Sequence, residues 1–172
     1  MVAIAIRRIE AHDVDGIANI YAEVIDPNYV SFSELAEGKA DGPGTLSPRA
    51  RSIFLDQLRS QIDDRQCGYF VATAGDPVGF ALASIHDTEA GHLECWLDDV
   101  CVKRHWQGQG IARRLVEAVF EWGNRAGAKY FLLETGTYNE HAHRLFRRLG
   151  FQPLAEVFWR SISPEQKKSQ PD

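Results

Sequence analysis

The sequence has few cysteines and no long apolar run. Its three cysteines, Cys67, Cys95 and Cys101, are odd in number and form no CxxC pair, which argues against a disulfide framework or a zinc site. His141 and His143 are two residues apart and would point to opposite faces of a helix, so they suggest no metal site either. No stretch is apolar for long enough to cross a membrane, and the start is charged too soon for a secretory signal. We therefore expect a cytoplasmic protein with buried free thiols and no metal.

The chain also lacks an excess of positive charge. A formal net charge of −5 argues against the basic surface that attracts nucleic acid or anionic lipid. Positive charge is nevertheless concentrated near the glycines of "QGQG", where Lys103, Arg104, Arg113 and Arg114 flank the turn. The sequence therefore predicts no nucleic-acid or membrane partner, but a site for a small anion at this turn.

The first half of the apolar pattern predicts a strand, two helices and part of a sheet. "VAIAIRRIE" is the strand, Asp13 caps the first helix, and the second helix starts with Ser47 as cap and Pro48 at its first position. Between the helices, residues 26–46 are rich in glycine, proline, serine and acids, and are expected to be irregular with one helical turn. We call residues 26–46 the roof segment. "GYFVATA", "VGFALASIH" and "HLECWLDDVCV" then predict three antiparallel strands.

The second half alternates helix and strand. A helix from Gly108 to Gly123 is followed by the buried strand "AKYFLLET", a helix capped by Asn139, and a final strand "EVFWRSI". This order predicts one α+β domain over residues 1–163, with a mixed, mostly antiparallel central sheet flanked by helices. Residues 164–172 are expected to form a frayed tail.

Three phosphate-binding patterns compete for the glycine turn. The Walker pattern GxxxxGK[ST] is absent, and the dinucleotide pattern GxGxxG fails at its third position, where Arg113 stands. The pattern Q/R-x-x-G-x-G/A is met by Gln107, Gly110 and Ala112. It places free N–H groups at the positive end of a helix, where a pyrophosphate binds well. An ordinary glycine loop is the alternative if the motif is taken alone.

Two blocks taken together resemble the GNAT acetyltransferase superfamily, over roughly residues 4–162. They are "LDDVCVKRHWQGQGIARRLVEAVFEWG" and "LLETGTYNEHAHRLFRRLGF". The resemblance implies a GNAT-like fold and an N-acetyltransferase that uses acetyl-coenzyme A, with direct attack by a primary amine in a ternary complex. A non-catalytic acyl-coenzyme A-binding or regulatory domain is the alternative. A small-molecule amine is expected in preference to a protein acceptor, and a homodimer is compatible with the family.

The resemblance also implies which residues bind the cofactor. The strand end before the turn pairs with the pantetheine arm, the turn binds the pyrophosphate, and Asn139 reaches the pantetheine region or fixes its helix. Phe146 stands where many members carry a tyrosine proposed to protonate the thiolate, so it is kept as a contact and not as an acid. Tyr138 is the nearest alternative donor, and its place before the helix cap makes a surface position an equal alternative. The implied contacts are Val100, Cys101, Val102, Gln107, Gly108, Gln109, Gly110, Ile111, Ala112, Arg113, Asn139 and Phe146.

Acidic residues on the third long strand are candidates for the general base. An amine arrives mostly as ammonium, and a nearby carboxylate can take its proton. Glu94 and Asp98 share a face by period two, whereas Asp99 takes the other face unless a bulge shifts the register. "LDDVCV" is similar to the pattern of polyamine and diamine acetyltransferases of the family, in which the first acid is the proposed base. Asp98 is therefore our first candidate and Glu94 the second, with solvated strand residues as the alternative.

The roof segment is expected to cover the acceptor side. Its acids favour a polycation such as a polyamine or an aminoglycoside, although acids that simply face solvent are an equal alternative. These acids are Asp26, Glu34, Glu37 and Asp41.

Overall fold

A computed structural model describes residues 3–160 and residue 162. The strands are β1 (Ala5–Arg8), β2 (Ala40–Gly42), β3 (Thr45–Leu46), β4 (Phe70–Ala74), β5 (Asp76–Asp87), β6 (Leu93–Val102) and β7 (Ala128–Leu133). The helices are α1 (Val14–Val24), α2 (Phe32–Ala36), α3 (Ala50–Gln61), α4 (Ile111–Ala126) and α5 (Glu140–Arg148). Short 3₁₀ turns lie at Ala11–Asp13, Pro27–Tyr29 and Arg104–Trp106.

The central sheet has five strands in the order β1-β4-β5-β6-β7. All its pairs are antiparallel except β6 with β7, which is parallel. Side chains such as Tyr21 of α1 and Phe54 of α3 pack on one face of the sheet. Leu115 and Val119 of α4 and Phe146 of α5 pack on the other face. The predicted α+β fold with a mixed, mostly antiparallel sheet is confirmed.

A β-bulge interrupts β6 next to its acidic residues. Leu82 of β5 pairs with Asp99, and the next residue of β5, Ala83, pairs with Leu97. Asp98 is thus the extra residue of the bulge, and the alternation of side chains restarts after it. Leu97 packs in the core beneath α4, whereas Cys101 packs in the core beneath α1 and α3. Both adjacent acids therefore face the side of α1, α3 and the roof segment.

Strand β7 ends opposite Leu97, whereas β6 continues through the bulge to Val102. Their parallel pairing runs from Leu93 with Ala128 to Leu97 with Leu133. Beyond that point β6 pairs with β5 alone, through contacts such as Val100 with Ala81. Within residues 3–160, no strand occupies the other edge of β6 over its last residues. The unpaired edge of β6 therefore runs from the bulge to Val102, just before the glycine turn.

α1 begins at Val14, directly after Asp13, as predicted, whereas the predicted start of α3 is wrong. The Asp13 carboxylate accepts from the Glu10 N–H at 2.9 Å and from Arg7 at 2.6 Å, so it closes the 3₁₀ turn before α1 and does not cap α1. Ser47 Oγ accepts weakly from the Arg49 N–H at 3.3 Å, and the helix begins only at Ala50. In both places a tight turn uses the polar side chain that was assigned to the helix.

The later elements also differ from the predictions at their ends. α4 begins at Ile111, three residues late, and runs on to Ala126, where Gly127 with φ 87° ends it. β7 is the outer strand of its sheet, so Tyr130 is 47% exposed and the prediction of a buried strand is wrong. The described residues of "EVFWRSI" form no strand, so the predicted final strand is not found there. The tail predicted for residues 164–172 lies outside the described residues.

Candidate active site

The glycine turn before α4 presents its backbone to solvent. Gly108 and Gly110 both have φ 76°, a left-handed conformation that favours glycine. A Cβ at either position would meet no atom within 4 Å. The Arg114 N–H bonds back to the Gly110 carbonyl at 3.1 Å, and the helical N–H groups before it have no preceding turn to bond. This exposed, positively polarised end of α4 can bind an anion.

A cavity of about 110 Å³ lies between the end of β6 and the roof segment. It brings together three sets of predicted residues. Asp98 and Asp99 line it from β6, Glu34 and Glu37 line it from the roof segment, and the predicted cofactor contacts Val100, Asn139 and Phe146 line it from β6 and α5.

The roof segment is tied to the end of β7. Glu134, just after β7, accepts from the Phe32 N–H at 2.6 Å and from the Ser33 hydroxyl at 3.4 Å. Gly136 touches the same segment, since a Cβ there would lie 2.5 Å from the Asn28 carbonyl oxygen. A side chain at this position would push the roof segment away. The roof is more ordered than predicted, with a 3₁₀ turn, α2 and the β2–β3 hairpin.

The four acids of the roof segment have different positions. Glu34 lines the cavity while its carboxylate accepts from the Ser31 N–H at 2.6 Å and caps α2. Glu37 lines the cavity as well. Asp26 caps its own 3₁₀ turn by accepting from the Asn28 N–H at 2.8 Å. Asp41 is exposed, so half of the predicted set reaches the cavity.

Asp98 is the accessible acid of the pair. It accepts from Ser84 Oγ at 3.0 Å, and Ser84 Oγ lies 3.0 Å from His86 Nε2. The Asp98 side chain is exposed to the cavity, but the protein groups packed around its carboxylate reduce its hydration, and this desolvation raises the pKa of Asp98 to about 7. The Ser84 hydrogen bond opposes this rise, and the neighbouring Asp99 adds to it. A carboxyl with this pKa can accept a proton near neutral pH.

Asp99 is the enclosed acid of the pair. It is 6% exposed, and the Tyr29 hydroxyl donates to its carboxylate. Lys39 Nζ lies 4.0 Å from its other oxygen. Burial raises the pKa of Asp99 to about 6, while the Lys39 charge and the Tyr29 hydrogen bond lower it. With both oxygens engaged, Asp99 is less available to a substrate than Asp98.

Two other predicted residues lie away from the cavity. Glu94 accepts from the Trp96 indole N–H at 3.2 Å, and four residues of strand place it about 13 Å from Asp98. Tyr138 is 77% exposed, which matches the surface position weighed for it.

Asn139 caps α5 as predicted, accepting from the Ala142 N–H at 3.2 Å. Phe146 is 8% exposed, with its ring against Phe151.

The sequence analysis missed Lys39 and Tyr29. Lys39 is a single basic residue within an acidic segment, and nothing in its spacing marks it as buried. Tyr29 lies in a stretch expected to be irregular. The position of Asp99 on the face of Asp98 was foreseen as the consequence of a β-bulge at these two consecutive acids, and the bulge is present.

Comparisons with known proteins identify relatives over most of the chain. The sequence model described as the acetyltransferase (GNAT) family matches residues 32–151. An aminoglycoside N(6')-acetyltransferase type 1 of Stenotrophomonas maltophilia is 32% identical over 61% of this chain and 72% of its own length. A probable spermine N(1)-acetyltransferase of Bacillus subtilis subsp. natto (strain BEST195) is 30% identical over 60% of this chain and 74% of its own length.

Other relatives are longer than this chain. The match spans only 52% of the N-acetyltransferase 8B of Rattus norvegicus. Among solved structures, an aminoglycoside N-acetyltransferase in complex with CoA superposes with a TM-score of 0.68 at 19% identity, covering 94% of this chain and 96% of that chain. That likeness shows the shared fold. Of the helices in residues 3–160, none is long and apolar enough to cross a membrane.

Proposed function

The chain belongs to the acetyltransferase (GNAT) family, and from that premise we propose that it transfers an acetyl group from acetyl-coenzyme A to a primary amine. One observation carries the proposal. A single cavity is lined both by Asp98, an acid whose pKa is about 7, and by three residues implied to contact the cofactor. A base for the amine and the contacts for the acyl donor therefore lie side by side.

The cofactor side is formed mainly by backbone groups. The exposed N–H groups between Gln107 and Arg113 suit a pyrophosphate, and the open edge of β6 at Val100–Val102 suits an extended arm bound as if it were a further strand. Gln107 supports this edge, because its side-chain amide donates to the Val102 carbonyl at 3.0 Å. When bound, acetyl-coenzyme A supplies an activated acyl carbon and a thiolate leaving group.

The chain's own residues favour direct transfer. We propose that Asp98 accepts the proton of the ammonium form of the acceptor and leaves a neutral amine able to attack. A covalent thiol intermediate is disfavoured, because burial and the nearby Asp99 raise the pKa of Cys101 well above its usual range. Cys101 therefore stays a neutral thiol that packs beneath α1 and α3.

The acceptor that we propose is a small amine with more than one positive charge. The acids Glu34, Glu37, Asp98, Asp99 and Glu134 line the cavity, against one cation, Lys39, among the described lining residues. An excess of carboxylates attracts and orients a polycation. Two relatives bear the names of an aminoglycoside and a spermine acetyltransferase, which supports the same class.

A binding measurement followed by an activity assay tests the proposal. Acetyl-coenzyme A is titrated by calorimetry, and thiol release is then measured with spermine, an aminoglycoside, a monoamine and a lysine-containing peptide. We expect binding, and turnover that favours the two polycations. Binding without turnover on any amine would instead support the non-catalytic acyl-coenzyme A-binding alternative, and absence of binding would exclude both. The cytoplasmic location and the homodimer stay predictions.

Phe146→Tyr tests how the thiolate leaves. Phe146 lines the cavity with its ring buried, so we expect the affinity for acetyl-coenzyme A to change little. A hydroxyl that reaches the sulfur can protonate it, and we expect kcat to rise several-fold. The matched control is Tyr138→Phe, which removes a hydroxyl from an exposed ring and should change neither quantity. Weaker binding with no gain in kcat would mean that the pocket requires an apolar ring at residue 146.

A further inference from the structure

Lys39 is a buried lysine beside the candidate base. Its side chain is 6% exposed, and its Nζ lies 2.6 Å from Glu37 Oε2 and 4.0 Å from Asp99 Oδ2. The same ammonium lies 5.6 Å from the centre of the Phe54 ring. The backbone of Lys39 is held in the β2–β3 hairpin, because the Ser47 N–H donates to the Lys39 carbonyl at 2.9 Å. An ammonium in such a place is stable only when carboxylates compensate for its lost hydration.

We infer that Lys39 favours the ionised form of the coupled pair Asp98 and Asp99, and so sets the pH range in which Asp98 accepts the proton of the acceptor amine. The inference rests on the proposed function. Lys39 is a positioning residue in this scheme and not a catalytic one, because it acts through the two acids.

The geometry makes Asp98 and Asp99 a coupled pair. The bulge puts adjacent carboxyls on one face of β6, where one negative charge disfavours the other. Lys39 lowers the pKa of both acids, and Glu37 raises the pKa of both. Glu37 and Lys39 lie in contact with each other in the roof segment. A cation and an anion of the roof segment thus act on the pair in opposite directions.

Other titratable groups face the pair from the elements packed around it. The tyrosines and cysteines among them are neutral near pH 7, because burial raises their pKa values. Lys39, Glu34 and Glu37 of the roof segment and Glu134 line the same cavity, and His86 contacts Asp98 through Ser84. The neutral groups on the face of the pair are Tyr21, Tyr29, Cys67, Tyr69 and Cys101, and Cys95 lies on the opposite face of β6.

Two variants are expected to move the pH profile in opposite directions. In Lys39→Met the cation is lost at similar side-chain length, the pKa values of the pair rise, and the acidic limb of kcat/KM moves up by about one pH unit. In Glu37→Gln an anion is lost, and the limb moves to lower pH by a smaller amount. Lys39→Arg keeps the charge and should bring the limb back toward that of the unaltered protein. The profiles are measured with acetyl-coenzyme A at saturation.

A purely structural role for Lys39 gives a different result. Loosening of the roof segment would lower Tm and the rate at every pH, and would leave the limb where it was. That outcome, in Lys39→Met and in Glu37→Gln, overturns the inference. If Lys39→Met fails to fold, Glu37→Gln decides alone, since the Glu37 side chain is 40% exposed and its loss should be tolerated. A shift of the limb to lower pH then supports the inference, and an unmoved limb overturns it.

Carboxyl titration separates this inference from the proposed function. The ¹³C shifts of labelled aspartate carboxyls, assigned with Asp98→Asn, report the protonation of the pair in the absence of turnover. We expect the same opposite displacements in Lys39→Met and Glu37→Gln. If the titrations of the variants coincide with that of the unaltered protein, the inference is wrong even where thiol release occurs. If they move and no amine is acetylated, the charge coupling stands and the proposed function fails.

Discussion

Replacing Asp98 by asparagine is expected to lower kcat near pH 7 by about 10²–10⁴-fold, the usual contribution of a general base. Asparagine keeps the size of the side chain and can still accept from Ser84, whose hydroxyl lies 3.0 Å from the carboxylate. The substitution therefore removes the proton acceptor without removing its hydrogen bond. The affinity for acetyl-coenzyme A should change little, because Asp98 faces the acceptor side of the cavity.

The pH profile identifies the role of the residue. Burial raises the pKa of Asp98 to about 7, so the base is protonated and inactive below that pH and becomes available above it. We expect kcat/KM of the unaltered protein to rise with pH through this value. Asp98→Asn loses that limb, and its rate should recover partly as the pH approaches the pKa of the substrate amine. There the amine is already neutral and needs no base.

The matched control is Glu94→Gln on the same strand. Glu94 shares the strand face but lies about 13 Å along β6 from Asp98, bonded to the Trp96 indole. Its substitution should leave the rate and the profile nearly unchanged. If Asp98 only anchors a cationic acceptor, KM rises in Asp98→Asn while kcat holds. If the profile of Asp98→Asn is unaltered, the base assignment is wrong.

The strand and helix pattern of the central sheet could be predicted because it depends on local periodicity. The three long strands, the helix after the glycine turn and the Asn139 cap all carry their signals within a few residues. The bulge at Asp98 depends instead on how β5 and β6 align, with Leu82 opposite Asp99 and Ala83 opposite Leu97. A single sequence shows the two adjacent acids but not how β5 and β6 align. It was therefore possible to say only that Asp98 and Asp99 would share a face of β6 if a bulge lay between them.

The acceptor side was the least predictable part. Glu34 and Glu37 reach the cavity whereas Asp26 caps its own turn and Asp41 is exposed. Whether an acid of the roof segment reaches the cavity depends on contacts between residues more than a hundred positions apart, such as that of Glu134 with Phe32. Lys39 is buried for the same reason, since the groups that compensate its charge include Asp99 of β6. Such long-range pairing leaves no local pattern to recognise.

The boundaries of α4 show how a motif and a helix can share residues. The sequence placed the helix start at Gly108, yet Gly108 and Gly110 are both left-handed at φ 76° and cannot belong to a right-handed helix. The motif is a turn that ends where α4 begins at Ile111. The later start leaves the N–H groups of the turn outside the helix, where they can meet an anion.

Gly110→Asp is expected to weaken acetyl-coenzyme A binding by at least about 2 kcal/mol, or roughly 30-fold in Kd. The substitution puts a negative side chain beside the N–H groups that we assign to the pyrophosphate, so it adds repulsion and competes for the same donors. A Cβ at residue 110 meets no atom within 4 Å, and aspartate tolerates the left-handed region better than most residues. The protein should therefore fold, and calorimetric titration gives the affinity directly.

Two controls separate the charge from the backbone. Gly127, at the other end of α4, has φ 87° and equally open surroundings, so Gly127→Asp carries a similar conformational cost far from the turn and should bind acetyl-coenzyme A normally. Gly110→Asn has the same shape as Gly110→Asp without the charge, and we expect it to lose less affinity. Because the repulsion is electrostatic, the difference between the two Gly110 variants should shrink as salt is added. Near-normal affinity in folded Gly110→Asp would show that the pyrophosphate does not bind at this turn.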